Sequence, residues 1–226
     1  FQGMTSKPRA LIAWSSGKDS AWALHDIRGD GSYDIVAALT TVTGDSGCVT
    51  VHGVPEDLLH AQLEAAGLPS IVVRIPDPCP NEVYARAMAD ALDNAKAQGV
   101  THVVFGDLFL ADLRAWREAR LAEIGMSAVF PLWQRPTQAL AREMITAGVV
   151  AHLATVDLGK LPRSFAGRAL DTTLLADLPA GVDSCGENGE FPSFVSAGPM
   201  FTHPIAVALG ETSVRDGFAY AELTAR

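Results

Sequence analysis

Positive charge is in short supply in this chain. Its 226 residues carry 17 Lys+Arg against 26 Asp+Glu, a formal charge of −9. A surface that acidic argues against a general nucleic-acid binder, which needs cations to neutralise phosphates. Long apolar runs are missing too. Nothing approaches the roughly 18 consecutive apolar residues of a membrane span, and no charged start with an apolar stretch and a small-residue cleavage site opens the sequence. The expectation is a soluble, cytoplasmic protein with no membrane partner. Cysteine is sparse: Cys48, Cys79 and Cys185 are odd in number and widely spaced, with no C-x-x-C, which argues against a disulfide framework or a structural zinc site. They read as small, reduced, partly buried side chains. Apolar material is plentiful, 48% hydrophobic against 19% charged, enough for a sizeable core and unlike a disordered chain. Phe1, Gln2 and Gly3 precede Met4 and read as the remnant of an expression linker.

Short apolar runs alternate with helical patterns. Residues 10–14 (ALIAW), 35–41 (IVAALTT), 71–75 (IVVRI) and 102–105 (HVVF) read as buried strands, since continuous apolar runs mark a parallel sheet covered on both faces. Helices are expected from near Asp19, then over 55–66, 81–98, 112–124 and 137–147. Pro55 is placed for a first turn, and Gly67, Gly99 and Gly148 for helix ends. A short apolar run covers 128–130, and residues 149–155 (VVAHLAT) read as one further buried strand. After Leu161 prolines and glycines become frequent. Residues 180–194 read as a loop, and 201–223 as antiparallel strands around Gly210 and Gly217. The fold class expected is α/β, a Rossmann-like parallel sheet with helices on both faces plus a smaller C-terminal α+β portion. The expected domains are residues 4–130 and 131–226.

Ser15-Ser16-Gly17-Lys18-Asp19-Ser20 lies between the first strand and the first helix, where amides and the helix dipole converge on an anion. It is not a G-x-x-x-x-G-K-[ST] loop, because position 12 is Ile and Asp19 follows the lysine. A plain N-capped helix is the structural alternative. The segment resembles the SGG-x-DS loop of the ATP pyrophosphatase, or PP-loop, superfamily, with Ser16 standing where that family has a second glycine. The resemblance implies ATP as cofactor, held by Ser15, Ser16, Gly17, Lys18, Asp19 and Ser20. It also implies adenine near Thr40 and Thr41, a cationic role for Lys18, and a catalytic role for Asp19 that extends to Mg²⁺.

Gly186-Glu187-Asn188-Gly189-Glu190-Phe191 is dense in turn formers, and two carboxylates three residues apart around a turn can enter one pocket; on composition alone it is an exposed loop. The stretch resembles the G-E-N-G-E-F-H-T signature of the diphthine–ammonia ligase family, a branch of the PP-loop superfamily, with Pro192 and Ser193 where that family commonly has His and Thr. Residues 51–55 (VHGVP), 106–110 (GDLFL) and 130–133 (FPLW), with Arg117 and Arg120, are similar to the same family. The resemblance implies an ATP-dependent ligase that adenylates an acceptor carboxylate, releases pyrophosphate and forms an amide with ammonia or an amine. Glu187 and Glu190 would bind or deprotonate the amine, and Gly186 and Asn188 would orient substrate. Arg168 would face the acceptor. From their places at the ligand-facing ends of strands, His52 could contact nucleotide or acceptor, and Asp107, beside Gly106, could bind Mg²⁺ or the acceptor.

Each of these residues also has a plainer reading. His52 can be a structural loop histidine, Asp107 a helix cap, and Arg114, Arg117 and Arg120 partners in surface ion pairs with Glu118 and Glu123. Sulfur transfer to RNA would require paired cysteines and a basic face, which the chain lacks. An ATP- or AMP-binding sensor without turnover is the alternative from another class. The acceptor's identity and self-association into a homo-oligomer stay open at this level.

Overall fold

The computed structural model describes residues 6–226; the linker remnant expected at Phe1–Gly3 lies outside them. Strand β1 (Arg9–Ala13) leads through a four-residue loop into helix α1 (Lys18–Asp30). Then come β2 (Asp34–Thr43), β3 (Cys48–Val49), α2 (Glu56–Ala66), β4 (Ser70–Ile75), α3 (Asn81–Ala97), β5 (Val100–Val104), α4 (Ala111–Glu123) and β6 (Ser127–Val129). The five parallel strands run in the order β4-β2-β1-β5-β6. The chain therefore reverses its direction of travel across the sheet between β1 and β5. Ligands of open α/β sheets collect outside the carboxyl ends of the strands at such a switch point. The short β3, which the sequence did not announce, pairs antiparallel with Val42 and Thr43 of β2. Those residues also pair with β4, so β3 occupies the edge of β2 that β1 uses further back, standing just beyond the end of β1.

Alternation along β1 sets the two faces. Ala10 and Ile12 join one apolar cluster with α1 and α2, while Leu11 joins a second with Leu92 of α3 and Leu121 of α4. Helix α3 commits only Leu92 and Ala95 to full burial along 17 residues, so it covers its side of the sheet thinly.

The remaining chain forms α5 (Thr137–Thr146), β7 (Val150–Leu153), β8 (Thr155–Asp157), a 3-10 turn at Arg163–Phe165, α6 (Thr172–Asp177), β9 (Ser193–Ala197), β10 (Val207–Arg215) and β11 (Phe218–Ala225). The single strand expected over 149–155 is divided. β7 pairs with β9 whereas β8 pairs with β11. The division comes at Ala154, because the amides of Ala154 and Thr155 both donate to the Pro192 carbonyl, which no continuous ladder allows. Asp216 and Gly217, at φ 51° and 81°, form the two-residue turn between β10 and β11; positive φ at both positions is the turn that matches strand twist. The first apolar cluster runs without a break from Ile12 and Trp14 through Leu132 and Leu153 to Phe194 and Leu223. Among the described residues no helix is long and apolar enough to cross a membrane.

Candidate active site

The loop after β1 is shaped from outside itself. Ser16 is fully buried with φ at 71°, the left-handed region that a side chain enters only at a cost. Its carbonyl explains why it stays: it accepts the Val195 amide at 3.0 Å and Gln62 Nε2 at 3.0 Å. Gln62, wholly buried on α2, also donates to the Val195 carbonyl at 2.7 Å and accepts the Trp14 indole N–H at 3.1 Å. Within the loop, Ser15 Oγ takes the Gly17 amide at 3.4 Å, and Ser20 Oγ takes the Ser15 amide at 3.3 Å. A Cβ on Gly17 would stand 2.7 Å from His52 Cε1, and one on Gly106 2.8 Å from the Asp19 backbone. Glycine at these positions permits close approach, so Gly106 seats the end of β5 against the first turn of α1.

Lys18 begins α1, where helix geometry leaves the first amides without intrahelical acceptors. Its amide donates instead to Ser193 Oγ at 3.1 Å, from β9. The side chain is 2% exposed. It bonds Asp19 Oδ2 at 3.0 Å and the Cys185 carbonyl, and lies over the Phe191 ring. Burial works against its charge, but Asp19, Cys185 and Glu187 outweigh that and raise the ammonium pKa. Burial pushes the Asp19 carboxyl up against the pull of Lys18, and Asp19 Oδ1 has no partner among the described residues.

The 183–191 loop is organised by carboxylates that accept amides. Asp183 Oδ2 takes the amides of Cys185 and Glu187, both at 3.0 Å, and Asp183 Oδ1 takes the Thr137 hydroxyl at 2.6 Å. Glu190 is 2% exposed. It accepts the Asp183 amide at 3.2 Å, the Asn188 amide at 2.9 Å and Asn188 Nδ2 at 3.3 Å. That internal bonding makes Glu190 and Asn188 a brace within the loop. Glu187 points the other way: its Oε1 accepts the Leu108 amide at 3.0 Å, and burial pushes its carboxyl up to about 7.

Two cavities meet here. One, of about 350 Å³, lies at the strand ends and is walled by Ala13, Leu39, Thr41, Met88 and Phe105. The other, of about 370 Å³, lies under the 185–193 loop with Lys18, Gly186 and Ser193 in its wall. Ser15, Asp19, His52, Asp107 and Glu187 border both. A larger depression of about 1000 Å³ between β3 and the β10–β11 hairpin contains none of the phosphate-loop residues. His52 Nδ1 meets the Ser193 carbonyl at 2.9 Å, and burial lowers its pKa to about 4. The ring is therefore neutral at pH 7, with its N–H on Nδ1 and its Nε2 lone pair unspent.

The structure thus gathers Ser15, Gly17, Lys18, Asp19, Ser20, His52, Gly106, Asp107, Gly186 and Glu187 around the two cavities. It does not gather the rest there. Thr40 is buried on the opposite face of β2 from Thr41, with its hydroxyl unpartnered. Arg168 pairs with Asp177 at 2.8 Å and lies over Phe165, and Glu190 and Asn188 serve their own loop. Asp107 does not cap α4, whose N-cap position is Leu110 and carries no side-chain cap; Asp107 pairs instead with Arg117 at 2.7 Å. Arg114 and Arg120 pair with Glu118 and Glu123. Cys185 is buried, and desolvation holds its thiol near 12. No group of three or more His, Cys, Asp and Glu among the described residues forms a metal-holding cluster. Sequence reasoning missed Gln62 and Asp183 as site builders, neither of which carried a local signal of its own, and marked Ser193 only as the residue standing at the Thr position of the signature that its stretch resembles.

Residues 8–128 match the diphthamide synthase N-terminal domain and residues 136–223 the diphthamide synthase C-terminal domain. The chain is 36% identical over 95 residues to a protein named diphthine–ammonia ligase from Homo sapiens, covering 40% of this chain and 36% of that one. It is 32% identical over 105 residues to one of that name from Danio rerio, covering 44% and 41%. These matches thus span well under half the length of those relatives. With both domains matched along nearly its whole length, the chain belongs to the diphthamide synthase family.

Proposed function

We propose that this chain is an ATP-dependent, AMP-forming amide ligase. Supporting this are the family membership, the relatives' name, and a phosphate-type loop at the switch point of a parallel sheet. In this reading ATP lies along the strand-end cavity with its phosphates at the Ser15–Ser20 loop. An acceptor carboxylate oxygen attacks the α-phosphorus and the bond to the β-phosphate oxygen breaks. Pyrophosphate leaves, and an acyl adenylate remains. Ammonia or an amine then attacks the acyl carbon, the nitrogen gives up a proton, and AMP departs.

The observation that carries the reading is Glu187. It borders both cavities, is fixed by the Leu108 amide, and has a carboxyl near 7, the range in which a general base takes and returns protons best. Lys18 supplies the positive charge beside the departing pyrophosphate, and His52 offers a neutral acceptor. Mg²⁺ fits as an ion brought in with the nucleotide, since it is commonly held by one or two carboxylates plus phosphate oxygens. The unpartnered Asp19 Oδ1 would hold it, and it would neutralise charge on the phosphates. The acceptor is a carboxylate whose carrier this reading leaves unassigned.

The test is a metabolite and protein-acceptor screen for acceptor-dependent pyrophosphate and AMP release, run beside Asp19→Ala. Release that requires one acceptor and disappears in the variant is the expected result. ATP retained intact with every acceptor, or an unchanged rate in Asp19→Ala, would refute the assignment.

A further inference from the structure

Ser193 lies 175 residues beyond Lys18 in sequence, yet it is built into the same cavity wall. Its side chain is 2% exposed, and its Oγ accepts the Lys18 amide at 3.1 Å. Its carbonyl accepts the His52 Nδ1–H at 2.9 Å, and two residues on, the Val195 amide holds the Ser16 carbonyl at 3.0 Å. β9 thus grips the phosphate loop at Ser16 and Lys18 and steadies the imidazole beside Gly17. A hydroxyl has one donor and two acceptor positions. In Ser193 one acceptor position is used by Lys18, whereas the hydroxyl proton meets no acceptor among the described residues. The residue borders the 370 Å³ cavity together with Gly17, Lys18 and Asp19. A buried hydroxyl that gives one lone pair to a helix's first amide, and keeps its proton for the cavity beside that helix end, is arranged to donate to an anion there.

We infer that Ser193 is a phosphate-binding and positioning residue: it caps α1 through its oxygen and gives its hydroxyl proton to a phosphate oxygen of the bound nucleotide. The nucleotide site is then completed by the segment matching the C-terminal family domain, and residues 8–128 alone form only part of it. The inference rests on the ATP site proposed above and deepens it. It asks nothing of the acceptor.

Binding alone tests it, by titration calorimetry on the full chain with a non-hydrolysable ATP analogue, with pyrophosphate and with adenosine. Ser193→Ala removes the hydroxyl, and Ser193→Thr keeps it. The expected result is a loss of about 10-fold or more in affinity for the analogue and for pyrophosphate in Ser193→Ala, the size of one hydrogen bond to a charged group. Adenosine affinity should stay within about 2-fold, and Ser193→Thr should bind the analogue within about 3-fold of the parent on the same principle. A purely structural cap would weaken adenosine and analogue together, and that pattern overturns the inference. Unchanged analogue binding in Ser193→Ala overturns it as well, while leaving the ligase reading intact. Failure of the parent chain to bind the analogue at all would overturn both. Parent binding with the expected variant pattern but no acceptor-dependent turnover would remove only the ligase reading.

Discussion

Gln62→Leu is the sharpest perturbation of the site that leaves every cavity-lining residue in place. Gln62 makes three buried hydrogen bonds: from the Trp14 indole, and to the carbonyls of Ser16 and Val195. Leucine is close in size, so cavity formation is a minor part of the cost. The losses are unequal. The Ser16 carbonyl still holds the Val195 amide, so its loss is partial, whereas the Trp14 N–H and the Val195 carbonyl are left without the partner they had. A buried polar group deprived of its partner costs about 1–3 kcal/mol, so two of them amount to about 2–6. Additional apolar burial by the leucine returns about 1 kcal/mol. A destabilisation of about 3 kcal/mol follows, which at about 2–4 °C per kcal/mol for a chain of this size lowers Tm by about 6–12 °C. Urea unfolding followed by tryptophan fluorescence reads the first quantity and calorimetry the second. The double variant Trp14→Phe/Gln62→Leu removes the donor together with its acceptor, so it should be less destabilised than the sum of its single changes, by about 1 kcal/mol or more. A Gln62→Leu protein within about 1 kcal/mol of the parent, or strict additivity in the cycle, would show that the loop is not held from α2.

Glu187→Gln keeps an acceptor for the Leu108 amide but cannot take a proton. Amide formation should fall by about 10²- to 10⁴-fold, with first-turnover pyrophosphate release largely retained. On the general-base role proposed for Glu187, the parent's rate should rise with pH through about 7 as its carboxyl loses its proton; a variant that keeps this limb would contradict the assignment. Glu190→Ala leaves the amides of Asp183 and Asn188 without their acceptor and should cost about 2–4 kcal/mol in urea unfolding; a fully stable but inactive variant would restore a chemical role for Glu190. At pH 8 iodoacetamide should label Cys48 and Cys79 in the native protein and spare Cys185, buried with a thiol near 12; peptide mass mapping of the labelled sites checks this.

The opening strand, loop and helix were legible because local causes act there: an apolar run, a glycine, and an amphipathic start all within a few residues. The alternation of buried strands and helices was legible for the same reason, and it places the Ser15–Ser20 loop at the sheet's switch point. What the sequence could not announce was which of two equivalent residues would face inward. Glu187 and Glu190 are alike in type and neighbourhood, but one enters the shared cavity wall while the other folds back on amides of its own loop; the turn that closes from the Gly189 amide to the Gly186 carbonyl lies between them. Thr40 and Thr41 differ only in strand parity, so the register of β2 decided between them. Ser193 and Gln62 act on residues 175 and 46 positions away, beyond the reach of any periodicity or spacing argument. The break at Ala154 likewise depended on where the Pro192 carbonyl would come to lie.

The grip of β9 on the loop that follows β1 also sets an order of events in synthesis. The contact joins residues 175 positions apart, and pairings of such sequence separation form late and slowly compared with local ones. A nascent chain on the ribosome therefore acquires its β1–α1 turn early but lacks the clasp that shapes it until β9 has emerged from the exit tunnel, so the Ser15–Ser20 loop takes its final form only after Ser193–Ala197 have been made.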